Sequence, residues 1–119
     1  MKTVILIDDE EISNFIVKKY LGIFSKDTRV IEFTDAKNAL YSIPYTKPDL
    51  IFLDLHMPEF TGWDFLEKMK SEGMTEKVVV LTASPNSDDQ QRAHSFDNVI
   101  NYYVKPLADE DVSEILENL

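Results

Sequence analysis

Residues 49–58 read DLIFLDLHMP: the apolar run Leu50 to Leu53 ends on Asp54, Leu55 and His56, followed by a Met-Pro pair. A short, uninterrupted apolar run suits a parallel strand buried on both faces better than a half-exposed hairpin strand. Runs of the same kind recur on either side, as TVILI at 3–7, RVIEF at 29–33, KVVVL at 77–81 and NVINYYV at 98–104. Between them lie stretches of helical period. Ile12, Phe15, Ile16, Tyr20 and Ile23 mark a strong amphipathic helix, and Ala36, Ala39 and Leu40 mark a second. Thr61 can cap a third with Phe65, Leu66 and Met69 inward, and Val112, Ile115, Leu116 and Leu119 mark the last. Ser87 to Phe96 carries the weakest pattern, with only Ala93 and Phe96 as an inward stripe. Regular alternation of strand and helix predicts an α/β fold with a doubly wound, five-stranded parallel sheet, helices on both faces, and sites at the carboxyl ends of the strands. Pro44, Pro48, Pro58, Pro85 and Pro106 are all expected in connections.

The chain has 119 residues and no cysteine, which fits one domain, 1–119, with a core large enough to need no disulfide framework. The apolar run at 3–7 stops at Asp8, Asp9 and Glu10, so neither a signal-peptide core nor a membrane span is expected, and the location is expected to be cytoplasmic. Twenty-two acidic against 12 basic residues give a net charge of -10. That sign disfavours nucleic acid and anionic membrane as partners and favours a protein.

The strand ends gather the chemistry. Asp8, Asp9 and Glu10 follow the first strand, Asp54 the third, Thr82 the fourth and Lys105 the fifth. Each has an ordinary explanation alone, as a helix cap, a β-former or a turn residue. Together they converge on one crevice. Clustered carboxylates repel and resist desolvation, so such a set suits a hard cation, and Mg2+ fits because it binds through one or two carboxylates plus waters and leaves room for phosphate oxygens. With that charge offset, Asp54 is a candidate nucleophile towards a phosphoryl group, Lys105 a movable counter-charge, and the Thr82 hydroxyl a hydrogen-bond donor.

Taken in combination, Asp8-Asp9-Glu10, Asp54-Leu55-His56-Met57-Pro58 with Gly62, Thr82-Ala83, and Tyr102, Lys105 and Pro106 resemble the receiver domain of two-component response regulators, over essentially the whole chain. The resemblance implies a flavodoxin-like sheet of order 2-1-3-4-5 with five helices. It implies that Asp54 accepts a phosphoryl group from a phosphohistidine and that Asp8, Asp9, Asp54 and the His56 backbone carbonyl serve Mg2+, with Asp8 acting largely through water. It implies that Thr82, Ala83 and Lys105 meet the phosphoryl group, that Tyr102 turns inward as the switch aromatic, and that the fourth-helix, fifth-strand and fifth-helix face is remodelled. Pro58, Gly62 and Pro106 shape the loops, with Lys105-Pro106 expected to be cis. Tyr103 is the alternative switch aromatic, on the opposite face.

His56, at a position where side chains vary in the family, is expected to border the path of hydrolytic water, and Asn98 to replace a common glycine through a left-handed turn. The implied partners are a histidine kinase or histidine phosphotransfer protein and an output protein, with the chain a monomer or a phosphorylation-dependent dimer. It is expected to be a phosphoacceptor rather than an enzyme, either a stand-alone messenger or a phosphorelay intermediate. An aspartate-nucleophile phosphohydrolase is disfavoured, because His56 stands where that chemistry places an acidic aspartate.

Overall fold

The computed structural model describes residues 1–119. Strands and helices alternate as β1 (Lys2–Ile7), α1 (Glu11–Phe24), β2 (Thr28–Phe33), α2 (Ala36–Thr46), β3 (Leu50–Leu53), α3 (Gly62–Ser71), β4 (Val78–Thr82), α4 (Ser87–His94), β5 (Val99–Val104) and α5 (Asp109–Glu117). All neighbours pair in parallel, in the order β2-β1-β3-β4-β5. The apolar runs are strands within one or two residues of the expected limits, and Thr82 proves to be the last residue of β4 rather than the first beyond it.

β1, β3 and β4 alternate between two cores, as parallel strands under helices on both faces must. Ile5, Ile7, Ile51, Leu53, Val78 and Val80 pack with α2, α3 and Ala93 of α4. Val4, Leu6, Leu50, Phe52, Val79 and Leu81 pack with Val17 and Leu21 of α1 and Val112 and Ile115 of α5. Every residue of β3 and β4 is buried, whereas the edge strand β5 buries only Val99 and Tyr102. Tyr102 packs on the first core and Tyr103 on the second, so the two tyrosines occupy opposite faces, as strand alternation requires.

Three further sequence expectations are corrected. The stripe Ile12, Phe15, Ile16 and Ile23 of α1 points to solvent, with Ile12 66% and Phe15 59% exposed; only Tyr20 of that set touches the core. The inward face is instead Asn14, Val17 and Leu21. This helix is apolar on two sides, and a 3.6-residue period identifies a stripe without saying which of two stripes faces the sheet. Pro44 lies inside α2, in its last turn, rather than in a connection; hydroxyls supply bonds beside it, Ser42 Oγ to Ala39 O at 2.7 Å and Thr46 Oγ1 to Ser42 O at 3.0 Å. Asn98 is not left-handed, since only Lys47 and Glu59 among non-glycine residues have positive φ. Its amide instead donates to Glu76 O at 3.0 Å, fastening the entry to β5 against the entry to β4.

α3 begins as expected. Thr61 Oγ1 accepts from the Asp64 N–H at 3.2 Å, and Asp64 Oδ2 accepts from the Thr61 N–H at 3.0 Å, a reciprocal cap. Phe65, Leu66 and Met69 then face inward. α4 buries only Ala93 along its length, which matches its weak sequence pattern.

Candidate functional site

The sheet places the ends of β1 and β3 side by side, with β5 on the far side of β4 at the same edge. Asp8 N–H donates to Phe33 O at 3.1 Å, Asp54 N–H to Ile7 O at 3.0 Å, and Lys105 N–H to Thr82 O at 2.8 Å, so ladder bonds fix the first residue beyond each of these strands. From those anchors Asp8, Asp9 and Asp54 direct carboxylate oxygens that all lie within 4.8 Å of one another. Asp8 and Asp54 are buried and Asp9 is exposed, so the cluster opens to solvent on one side.

Lys105 reaches into this group from β5. Its ammonium donates to Asp8 Oδ2 at 2.6 Å, Ser13 Oγ at 3.3 Å and Asp54 Oδ2 at 3.4 Å. Burial works to lower the lysine pKa, but the hydrogen bond to Asp8 and the charges of Asp54 and Asp8 prevail and raise it above its ordinary value. Burial raises the Asp54 pKa, while the His56 amide, donating to Asp54 Oδ1 at 3.2 Å, and the Lys105 charge act against it. Two buried carboxylates with one ammonium between them leave a negative excess. An all-oxygen donor set of hard carboxylates with that excess fits Mg2+.

The loops are equally constrained. The Lys105-Pro106 bond is cis. Gly62 opens α3 with its N–H donating to Leu55 O at 3.1 Å, and a Cβ there would overlap the Asp54 carbonyl oxygen and lie 2.6 Å from Leu55 Cα. Pro58 is exposed, next to the left-handed Glu59. Thr82 is fully buried and its Oγ1 accepts from Ser84 N–H at 3.4 Å, while Ala83 beside it is exposed. Tyr102 is inward, its hydroxyl donating to Ser84 O at 2.8 Å. His56 stands at the rim with its side chain 57% exposed, Nε2 3.8 Å from Asp89 Oδ2.

Sequence reasoning missed two supporting groups. Asn14 is buried in α1, and its amide donates to Phe33 O at 3.0 Å and Asp8 O at 3.3 Å, which ties the Asp8-Asp9 turn to the end of β2. Ser13 shares the Lys105 ammonium. Both sit on the inward side of α1, and the signal that could have found them was polar residues interrupting the correct stripe.

Comparison with known proteins gives the family and the fold. Residues 4–117 match the model of the response regulator receiver domain. An uncharacterized response regulatory protein of Vibrio cholerae is 31% identical over the whole chain, which corresponds to 48% of that protein. The transcriptional regulatory protein CiaR of Streptococcus pneumoniae is 29% identical, again over the whole chain and 51% of its own length. The chain thus spans about half the length of these curated relatives. Among solved structures, a two-component response regulator from Cytophaga hutchinsonii superposes with a TM-score of 0.88 at 24% identity, over 99% of this chain and 96% of that one. The chemotaxis protein CheY4 of Vibrio cholerae superposes with 0.85 at 22% identity, over 99% and 98%. No helix is long and apolar enough to cross a membrane. With its sheet order, its acidic crevice and a family match running from Val4 to Glu117, this chain belongs to the receiver domains of two-component response regulators.

Proposed function

We propose that Asp54 accepts a phosphoryl group from the phosphohistidine of a kinase or phosphotransfer protein, and that residues 1–119 act as one switch module. The observation that carries this reading is the Lys105 ammonium held between Asp8 and Asp54 beside Asp9. In the transfer, an Asp54 carboxylate oxygen bonds to phosphorus as the P–N bond breaks, and the electron pair returns to the donor imidazole. Asp9, Asp54 and the His56 carbonyl, with Asp8 acting largely through water, would hold Mg2+, whose charge would let a phosphate approach three carboxylates. Lys105 then exchanges its bond to Asp8 for one to a phosphoryl oxygen, with Thr82 and the Ala83 amide as further donors. Tyr102 reports the change to the face formed by α4, β5 and α5, where Ile100 and Val104 are exposed, by shifting the population between two conformers.

The exposed stripe of α1 supports a protein donor. Ile12, Phe15 and Ile16 form an apolar patch at the start of the helix whose Ser13 touches Lys105, so a helical partner lying there brings its histidine to the mouth of the crevice. The chain in this reading turns over only its own acyl phosphate, and its output is a protein or a following domain, CiaR being a transcriptional regulator by name. The test is intact mass after incubation with Mg2+ and a small phosphodonor. The native chain is expected to gain one phosphoryl mass and Asp54→Asn none; no gain in the native chain overturns the reading, and steady hydrolysis of a phosphomonoester would favour a hydrolase instead.

A further inference from the structure

α4 has eight residues and buries one of them, Ala93, so apolar packing does little to fix its position. Polar contacts at its N-terminal end have more influence. Asn86 caps the helix, its side chain accepting from the Asp88 N–H at 2.8 Å. An acidic residue three positions after the cap ordinarily reaches back to the cap N–H. Here Asp89 does not. The Asn86 N–H donates to Ser84 Oγ at 3.3 Å, and Ser84 Oγ donates in turn to Asp89 Oδ2 at 2.8 Å. The carboxylate is thereby diverted from the cap onto Ser84, the residue whose carbonyl receives the Tyr102 hydroxyl. The same Oδ2 faces His56 Nε2 at 3.8 Å, two residues beyond Asp54.

From this geometry we infer that Asp89 is a positioning residue of the switch: it holds Ser84 so that the Ser84 carbonyl keeps Tyr102 inward, and it links the phosphoacceptor loop to the start of α4. The inference rests on the reading of Tyr102 as the switch aromatic. Neighbouring charge is consistent with it. Burial raises the Tyr102 pKa, the bond to Ser84 lowers it, and the Asp89 charge adds to the increase, so the field of Asp89 reaches the phenol. No other acidic side chain bonds Ser84. Asp89→Asn keeps an acceptor for the serine hydroxyl, whereas Asp89→Ala removes it.

The tyrosine ring resonances of the full chain, recorded by NMR without Mg2+ or donor, test the role. Asp89→Ala is expected to shift the Tyr102 ring signals and leave those of Tyr103 in place, and Asp89→Asn to restore the native positions. Ser84→Ala is expected to reproduce the shift, and the double variant to add nothing to it, because both changes cut one chain of contacts. Unmoved Tyr102 signals in Asp89→Ala and Ser84→Ala, or additive shifts in the double variant, overturn the inference. Should Asp89→Ala fail to fold, unmoved Tyr102 signals in Ser84→Ala overturn the inference alone, and shifted signals there that Asp89→Asn leaves at their native positions uphold it. Affinity for beryllofluoride with Mg2+ should fall about fivefold in Asp89→Ala, the population change expected from one hydrogen bond. Native chain that binds no beryllofluoride would count against Asp54 as phosphoacceptor, while the ring signals still decide the role of Asp89.

Discussion

Asn14 occupies a position that helical spacing reserves for an apolar side chain, and it does so to hold two carbonyls at the mouth of the crevice. Asn14→Ala removes the donor to Asp8 O, while Phe33 O keeps the Asp8 N–H. One orphaned buried carbonyl predicts a loss of about 1–2 kcal/mol, read as a lower urea midpoint, together with weaker Mg2+ binding as the Asp8-Asp9 turn loosens. Gly62→Ala is the harsher change. Its Cβ overlaps backbone at Asp54 and Leu55, neither of which can yield as a flexible side-chain tip would, so a loss of about 2 kcal/mol or more and a slower phosphoryl gain are expected. Burial raises the pKa of Tyr102 and of Tyr103, so the fold holds both as neutral phenols. That contribution is complete below the unfolded value of about 10 and is lost as pH rises through the higher folded values. Urea midpoints should therefore fall above about pH 10, and less steeply in Tyr102→Phe, with Lys105 present in both chains because its raised pKa acts in the same direction. Asp8, Asp9, Asp54 and Lys105 were legible in the sequence because ionisable side chains directly after apolar strands are unusual and countable. Asn14, Ser84 and Asp89 were not, because their importance comes from which backbone or side-chain oxygen they meet, and residue type alone does not encode that.

At the level of elements, β3 and β4 could be read with little ambiguity, since runs buried on both faces need no choice of side. α1 required such a choice. Val17 and Leu21 inward and Ile12, Phe15 and Ile23 outward satisfy the same period, and the sheet's demand for the first pair is visible only once the layers are assembled. The outward stripe yields a separable prediction. Ile12→Ser and Phe15→Ser should leave stability within about 0.5 kcal/mol, since these side chains are already exposed. Phosphoryl gain from a small donor should be unchanged, while transfer from a histidine-phosphorylated protein should slow about tenfold, as loss of a central apolar anchor does. Equal slowing with both donors would place the effect in the crevice instead. α4 was the weakest element in the sequence and is the least buried helix in the fold, and the reason is the same in both: one inward alanine offers little area to bury.

The whole molecule carries its net charge of -10 unevenly, with three carboxylates drawn together at one end of the sheet. Such clustering costs free energy that a bound divalent cation offsets. Addition of Mg2+ should raise the thermal midpoint, by an amount equivalent to about 1.4 kcal/mol at ten times the dissociation constant, and Asp9→Asn should blunt the rise. The alternation of elements made the doubly wound parallel sheet legible, and its strand order came with the family resemblance. What it left open was how firmly each strand is held.

That difference in support makes the molecule a lever with one stiff arm. β3 and β4 are buried on both faces and yield little to an added group at Asp54, whereas β5 buries only Val99 and Tyr102, with Tyr103 partly covered, and α4 rests on a single alanine. Interiors packed to crystal density transmit strain rather than absorb it. β2 is also a soft edge, but only the β5 side carries the hydrogen bonds that lead from Thr82 through Ser84 to Tyr102. If Asp54 gains a phosphoryl group as proposed, the compliance lies on that side, and stiffness would set the direction of the response before any partner arrives.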